Sequence, residues 1–549
     1  MSAQSETSPA KQTQDADTPN QSLPIHEFEI KDDEIEVEEI KGIKLFTIML
    51  ALCLAVFCVA LDNTIIATAI PHITNEFETV QDIGWYGSAY FLTTCVCQPV
   101  FGTLYSSFDF RGTFLFGLAM FEIGSLICGV ARTSSIFIVG RAIAGLGAAG
   151  IISGPLVLIA RILPMNKRPQ FSSLILSMWG FASVAGPLMG GAMSDRATWR
   201  WCFFINLPVG LISTVLILWL LHLPQTDKQM QLPFINRVKR IDFLGMVTFM
   251  VATICLLLAL QWGGTAYSWS NARIIVLFCM FGFLTAAFVG IQIWKGDTAI
   301  VPPKVAGQRS IVFAALFSAC LGGGFFFFVY YIPFWFQAVS GASATESGLD
   351  NIPLMLSQAI GTVVSGALTA RWGHYMPFVM LSVVLMSTGA GLITTFSVGM
   401  PASKWIGYQI LYGIGVGVGF QQPQIAVQAI LSSDLIAIGI SLMFFTQLLG
   451  GAVFLAIGQN VFANRLVAEL SASQVPGLDP IMVLESGATE FRHGLGLQAD
   501  QILVVIQAYA TALVASYRVG LIVSCLAMLG ALGMKWKSIK GLATIEVGM

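Results

Sequence analysis

Three ionisable side chains, Asp62, Glu122 and Arg141, lie inside long apolar runs of the sequence. A charged group at the centre of a bilayer costs about 2.5–3.5 kcal/mol on insertion scales, so such groups are functional candidates by default. Asp62 stands in Leu61-Asp62-Asn63-Thr64-Ile65-Ile66, about 12 Å below the end of the first run at 1.5 Å per residue. Arg141 lies about 8 Å in from the same surface, and Glu122 is at a depth similar to that of Asp62. Burial disfavours a charged carboxylate, and a guanidinium beside it favours the charge. A carboxyl balanced between the two can load a proton from one side of a membrane and release it to the other. The competing reading is a static Asp62–Arg141 pair that locks two helices together, with Glu122 protonated or bonded to a neighbouring helix.

Other chemistries lack their residues. His26, His72, His222, His374 and His493 are scattered, and no Walker loop, kinase set, metal-ligand cluster or Ser/His/Asp arrangement occurs. Neither an enzyme nor a self-contained ATP-driven pump is expected, and no cofactor. Nearly all ten cysteines fall inside apolar runs rather than in outward loops, so no disulfide framework is expected.

The elements that must position these groups follow from composition. Of the 549 residues, 56% are hydrophobic and 11% charged, and mean hydropathy is +0.77. Soluble chains carry about 25% charged residues. A disordered chain or a nucleic-acid-binding domain also needs more charge than this. Eleven of the 30 acidic residues lie in 6–39, so residues 1–44 read as a disordered acidic tail and Asn20-Gln21-Ser22 as a chance sequon. No cleaved signal peptide is expected.

Apolar runs follow near 45–70, 85–105, 113–131, 136–160, 171–192, 202–222, 243–261, 274–294, 311–332, 351–370, 377–398, 405–427, 439–460 and 514–534. Each can cross about 30 Å of hydrocarbon as a helix. The expected fold is therefore all-α, with fourteen transmembrane helices and both termini on one side. Placing the termini inside puts 19 Lys and Arg on inner segments and 8 on outer ones, with Arg141 left within a span; this bias assigns the termini to the cytoplasm. The longest later extramembrane stretch is 461–513, expected outside, where Gln501–Ala512 reads as an interfacial segment.

Gly186-Pro187-Leu188-Met189-Gly190-Gly191 is expected to interrupt span 5, since proline removes a backbone donor and glycines admit a close neighbour. Glycine ladders recur in span 4 (Gly145, Gly147, Gly150) and span 12 (Gly413, Gly415, Gly417, Gly419). Tyr330, Tyr331 and Trp335 close span 9, Gln358 lies in span 10, Gln409, Gln421, Gln422 and Gln424 in span 12, and Gln447 in span 13. Amides and aromatic faces on an apolar background suit a large, mostly uncharged organic ligand, with interhelical hydrogen bonding as the alternative. The inner loops after spans 2 and 10 share G-x-L, at Gly102 with Arg111 following and at Gly366 with Arg371 and Gly373 following. This pattern points to parallel six-helix halves, which place a binding site between them near the midplane.

These residues resemble the major facilitator superfamily, and within it the fourteen-span drug:proton antiporters of the fungal toxin and multidrug efflux branch. The likeness rests on Leu61–Ile66 with Ala69-Ile70-Pro71, Gly140-Arg141-Ala142-Ile143-Ala144-Gly145 onward to Gly150, Gly186-Pro187-x-x-Gly190-Gly191, Trp199–Gly210, Leu258–Gly264 and Gly407-Tyr408-Gln409. The first inner loop departs from the superfamily's acidic and basic pair, with Ser106 and Ser107 in its place. The resemblance implies a tail over 1–44, a first bundle over 45–222, an inserted pair over 223–310, a second bundle over 311–535 and a tail over 536–549. It implies proton-coupled export of a hydrophobic toxin, metabolite or drug by alternating access. Asp62 would carry the proton, Arg141 would tune it, and Gly186 and Pro187 would seal the cavity; Glu122, on a peripheral span, falls behind Asp62. The partners implied are the cargo, protons and lipid, in a monomer of the plasma membrane, with a vacuolar or vesicle membrane as the alternative. A proton-coupled importer, such as an iron–siderophore permease, is the alternative.

Overall fold

In the computed structural model the described residues are 42–77, 82–221, 241–264, 267–473, 479–484 and 497–540. Most of the expected acidic tail, the sequon, His222, the loop bearing Lys228, Arg237, Lys239 and Arg240, and the polar stretch 485–496 lie outside them.

The first helices are α1 (Gly42–Phe77), α2 (Ile83–Ser107), α3 (Phe110–Val130), α4 (Ser134–Ile162), α5 (Arg168–Leu176), α6 (Met178–Arg196), α7 (Trp201–Phe204) and α8 (Asn206–Leu220). A pair follows, α9 (Phe243–Trp262) and α10 (Ala272–Lys295), then a short α11 (Pro303–Ala306). The remainder are α12 (Arg309–Trp335), α13 (Ala344–Asp350), α14 (Ile352–Trp372), α15 (Met376–Ile393), α16 (Ala402–Gly419), α17 (Gln422–Ile430), α18 (Ile436–Ser473) and α19 (Ala499–Gly533).

Twelve helices among the described residues are long and apolar enough to cross a membrane. The fold is all-α and polytopic. The expected spans 85–105 and 405–427 are not among the twelve. Both are long enough, but their apolar character is diluted by polar side chains that face inward: Tyr86, Tyr90, Thr94 and Gln98 on α2, Gln409 and Tyr412 on α16.

The glycine ladders explain how these less apolar helices are held. α4 runs between α2 and α3, and α16 runs between α14 and α15. A Cβ at Gly145 would collide with the Tyr90 carbonyl of α2, and one at Gly147 with the Phe121 amide of α3. In the later helices Gly413 and Gly417 press on the α14 backbone and Gly415 on the Met386 amide of α15. Backbones this close pack through van der Waals contact rather than side-chain burial, which is how helices associate when lipid is as apolar as they are. The inserted pair is different. α9 packs on α2 and α18, whereas α10 leans chiefly on α9, with 6% of its apolar window buried.

Two expectations about helix shape are corrected. Span 5 is interrupted at Ser177, between α5 and α6, and α6 continues through Pro187. Gly186 does meet α1, where a Cβ would collide with Thr64 Oγ1, but Gly191 has nothing within 4 Å. The stretch 461–513 is largely helix: α18 extends to Ser473 and α19 begins at Ala499, so Gln501–Ala512 forms the first turns of α19 rather than a separate interfacial segment. The extensions are amphipathic. Leu466 and Leu470 are buried while Arg465 and Glu469 pair on the outside at 2.7 Å.

Candidate functional site

Asp62 and Arg141 meet. Arg141 Nη1 stands 2.5 Å from Asp62 Oδ2, and both side chains are 0% exposed. α1 presents the acid and α4 the base, and two further elements enclose them. From α2, the Tyr86 carbonyl accepts from Arg141 Nε at 2.9 Å, and the Tyr90 ring lies under the guanidinium at 4.4 Å. From α8, Asn206 Nδ2 donates to Asp62 Oδ1 at 3.3 Å and to Ser125 Oγ of α3 at 3.2 Å. Stacking over Tyr90 suits a planar guanidinium and would be lost with lysine.

Asn206 was not singled out by sequence reasoning, though it belongs to the Trp199–Gly210 run. That run serves three acids. Trp199 Nε1 and Arg200 Nη1 both donate to Glu76 Oε2, at 2.6 and 2.9 Å, where α1 ends. The hydrogen bond from Arg200 holds the Glu76 carboxyl below the usual carboxylate range. Asn206 reaches Asp62. One turn further on, Gly210 leaves the notch that Glu122 fills, since a Cβ there would collide with Oε1.

Asp62 stands apart from the centre of the molecule. It does not line the central void and is enclosed by α1, α2, α4 and α8. Proton exchange at Asp62 thus requires a conformation other than this one.

The void lies where α4, α6, α12 and α18 meet the α16–α17 break. Ile152, Trp179, Phe325, Phe326, Phe420, Phe444, Gln447 and Leu448 line it. At 20 Å³ it has room for about one water. Of the residues expected to contact a ligand, Gln447 alone lies here, and its Nε2 has no hydrogen-bond partner. The other amides bond their own or neighbouring helices: Gln358 donates to Thr362 within α14, Gln409 to the Asp350 carbonyl, Gln421 to the Thr362 carbonyl and Gln422 to the Val418 carbonyl, while Oε1 of all four has no partner. With its amide nitrogen and oxygen exchanged, Gln424 donates to the Phe420 and Gln421 carbonyls. Tyr330 is 58% exposed on the outer face of α12. Tyr331 packs on Phe327 at 4.7 Å and Trp335 on Phe396 at 5.5 Å, in a core away from the void. Sequence reasoning also missed Gln98, which is fully buried with neither amide atom bonded. Its signal was a lone amide in span 2.

The glycines of the two G-x-L motifs lie not in inner loops but within α2 and α14, where each marks a helix crossing. At Gly102 a Cβ would stand 2.8 Å from Ser441 Cβ of α18, and at Gly366 it would collide with Ser173 of α5. The two glycines of the repeated G-x-L thus occupy equivalent crossing points, both shut. Arg111 Nη2 donates to the Leu218 carbonyl at 2.7 Å, tying α3 to α8. Arg371 is exposed. Gly373 ends α14 at φ +77°, where glycine is unstrained, and its carbonyl accepts from the Ile539 amide at 2.8 Å. Among the described residues, no group of three or more His, Cys, Asp or Glu could hold a metal ion.

Comparison with known proteins decides the family. The Major Facilitator Superfamily profile matches residues 52–455. The chain belongs to the major facilitator superfamily. Over 500 residues, 91% of this chain and 97% of the relative, it is 50% identical to the protein named efflux pump aflT of Aspergillus parasiticus. It is 48% identical over 501 residues to MFS-type efflux pump MFS1 of Trichophyton rubrum, covering 91% and 93% of the two chains. Efflux pump roqT of Penicillium rubens is 44% identical over 495 residues, 90% and 91% of the chains. Among solved structures, the proton:xylose symporter XylE shares the fold, with a TM-score of 0.57 at 13% identity over 91% of this chain and 98% of that one. This member of the superfamily is a multi-pass membrane protein and a secondary active transporter, not an enzyme.

Proposed function

We propose that this transporter is a proton-driven exporter of neutral, aromatic-rich hydrophobic small molecules, such as a toxin or secondary metabolite. The observation that carries the reading is the separation of two compartments: a charge-free aromatic void between helix groups, and an enclosed Asp62–Arg141 pair that joins α1 to α4, the helix that also reaches the void through Ile152. Trp179, Phe325, Phe326, Phe420 and Phe444 offer ring faces, and Gln447 one free donor. Such a lining favours a flat cargo bearing a carbonyl or hydroxyl over a charged one. Relatives named as fungal efflux pumps support export over import.

In this reading α2 and the α16–α17 pair complete fourteen spans, and the termini lie in the cytoplasm, as the Lys and Arg bias suggests. Residues 45–222 and 311–535 form the two bundles, with α9 and α10 inserted between them, in a monomer of the plasma membrane. The bundles rock about the void. Opening toward one side separates the Gly102–α18 and Gly366–α5 crossings and wets Asp62, which takes up or gives back a proton while Arg141 holds or loses its partner. Gly186, against α1, and Pro187, against α13, keep the far side sealed.

The test is Nile red efflux from cells lacking their own pumps. Expression of this chain speeds efflux when the medium is acidified, and a protonophore abolishes the gain. Efflux indifferent to both treatments excludes proton-driven export. In the same assay, Phe444→Ala together with Gln447→Leu cuts the rate by about tenfold, because losing an aromatic contact and a donor removes about 1.4 kcal/mol or more of cargo binding. An unchanged rate places the cargo elsewhere.

A further inference from the structure

Glu122 sits on α3 with both carboxyl oxygens buried and neither hydrogen-bonded. Its place is built rather than accidental, since Gly210 of α8 supplies the notch that the carboxyl occupies. Ser125 lies one turn along the same face of α3, and Asn206 one turn along the same face of α8. These two bond each other, and Asn206 also bonds Asp62. Polar groups therefore line the α3–α8 seam between the two acids, with no hydrogen bond reaching Glu122, which stands one turn nearer the Arg111 end of α3 than Ser125. Asn206 Oδ1 and Arg141 Nη2 likewise have no partner.

The groups that face this seam are few. α1 brings Asp62 and Cys58, α4 brings Arg141, α2 brings Tyr90, α7 brings Cys202, and α3 itself brings Cys128; α8 brings no titratable group. One guanidinium thus serves two carboxyls. Ionising both would set two like charges in a dry compartment against a single cation, so one of the acids keeps a proton.

We propose that Glu122 is a second proton-binding site, and that Asp62 and Glu122 carry a proton in alternation. In the closed state Asp62 is ionised and paired with Arg141 while Glu122 holds the proton. A proton arriving on Asp62 makes it neutral and leaves Arg141 uncompensated. Glu122 then releases its proton and becomes the counter-charge. One proton binds, one leaves, and the cluster is neutral before and after. Glu122 stands one turn further from the outer ends of α3 and α8 than the Ser125–Asn206 contact that reaches Asp62, so entry at Asp62 and exit at Glu122 run inward in the proposed topology, the direction that drives export. Asn206 and Gly210 are positioning residues in this scheme.

The proposal rests on the proton-coupled reading above, so its test uses no cargo. Infrared difference spectra of the purified protein in lipid, stepped from acid to alkaline pH, read buried protonated carboxyls by their carbonyl stretch. Glu122→Gln removes one such band. Asp62→Asn retains that band but shifts the pH at which it disappears, a coupling that a purely structural acid would not show. Gly210→Ala fills the notch and changes the frequency of the same band, even where Glu122→Gln folds poorly. A Glu122→Gln spectrum matching the wild type, or a Glu122 band indifferent to Asp62→Asn, overturns the proposal. Either result leaves the acid-stimulated dye efflux of the unmutated protein standing, whereas failure of the export reading appears as pH-independent efflux of that protein with its spectra unchanged.

Discussion

Arg141→Leu strips most of the folded protein from the membrane, and adding Asp62→Asn restores it. Arg141 is the cation bonded to a fully buried Asp62, and four elements close around the pair. Removing one partner of a buried pair costs about 3–5 kcal/mol, because the survivor keeps its desolvation penalty without its counter-charge. Against a total stability of about 5–15 kcal/mol that is a large fraction. The double variant removes both charges, and its remaining amide can still bond Asn206, so most of the loss returns. The thermal midpoint of the purified protein, followed by tryptophan fluorescence, measures this. A single Arg141→Leu variant as stable as the wild type would show that the pair contributes little to holding α1 against α4.

The second large effect is steric. Gly147→Leu destroys the α3–α4 seam, since the first added carbon already overlaps the Phe121 amide and the Gly117 carbonyl. Those are backbone atoms and cannot swing aside as the end of a flexible side chain can. Overpacking ordinarily costs about 1–3 kcal/mol, and here relief requires two whole helices to part, so the loss lies at or above the top of that range. Gly290 supplies the contrast. It lies on the exposed face of α10 with nothing within 4 Å, and Gly290→Ala leaves the thermal midpoint unchanged or slightly higher. Equal destabilisation by the two changes would mean that the ladder is not a packing device.

These two cases show what could be read in advance. Asp62 and Arg141 were legible because ionisable groups in apolar runs are rare, and a buried charge must find its opposite. The ladders were legible because small residues at helical spacing have a packing use. Asn206 was less visible, since one amide in a signature run says nothing about which acid it will reach. The void was the least legible part. Thirty-nine phenylalanines populate the sequence, and only helix rotation decides that Phe325, Phe326, Phe420 and Phe444 turn inward while Phe283 faces out. The amides suggested ligand contacts, yet the nitrogens of Gln358, Gln409, Gln421 and Gln422 donate to nearby backbone or hydroxyl oxygens, which would be costly to leave unbonded. The ends of α18 and α19 were missed because a hydropathy window stops where Asn464 and Arg465 appear, although Leu466 and Leu470 continue the buried stripe. The break at Ser177 escaped notice because proline and glycine draw the eye to Gly186-Pro187.

The central claim is that Asp62 exchanges the proton that powers transport. Nile red efflux from cells expressing Asp62→Asn, measured while medium pH is varied, addresses it directly. The account predicts that acidification no longer speeds efflux and that the rate, normalised to the amount of variant in the membrane, falls to the level of cells without the pump. An acid-stimulated, protonophore-sensitive rate equal to that of the wild type would contradict it.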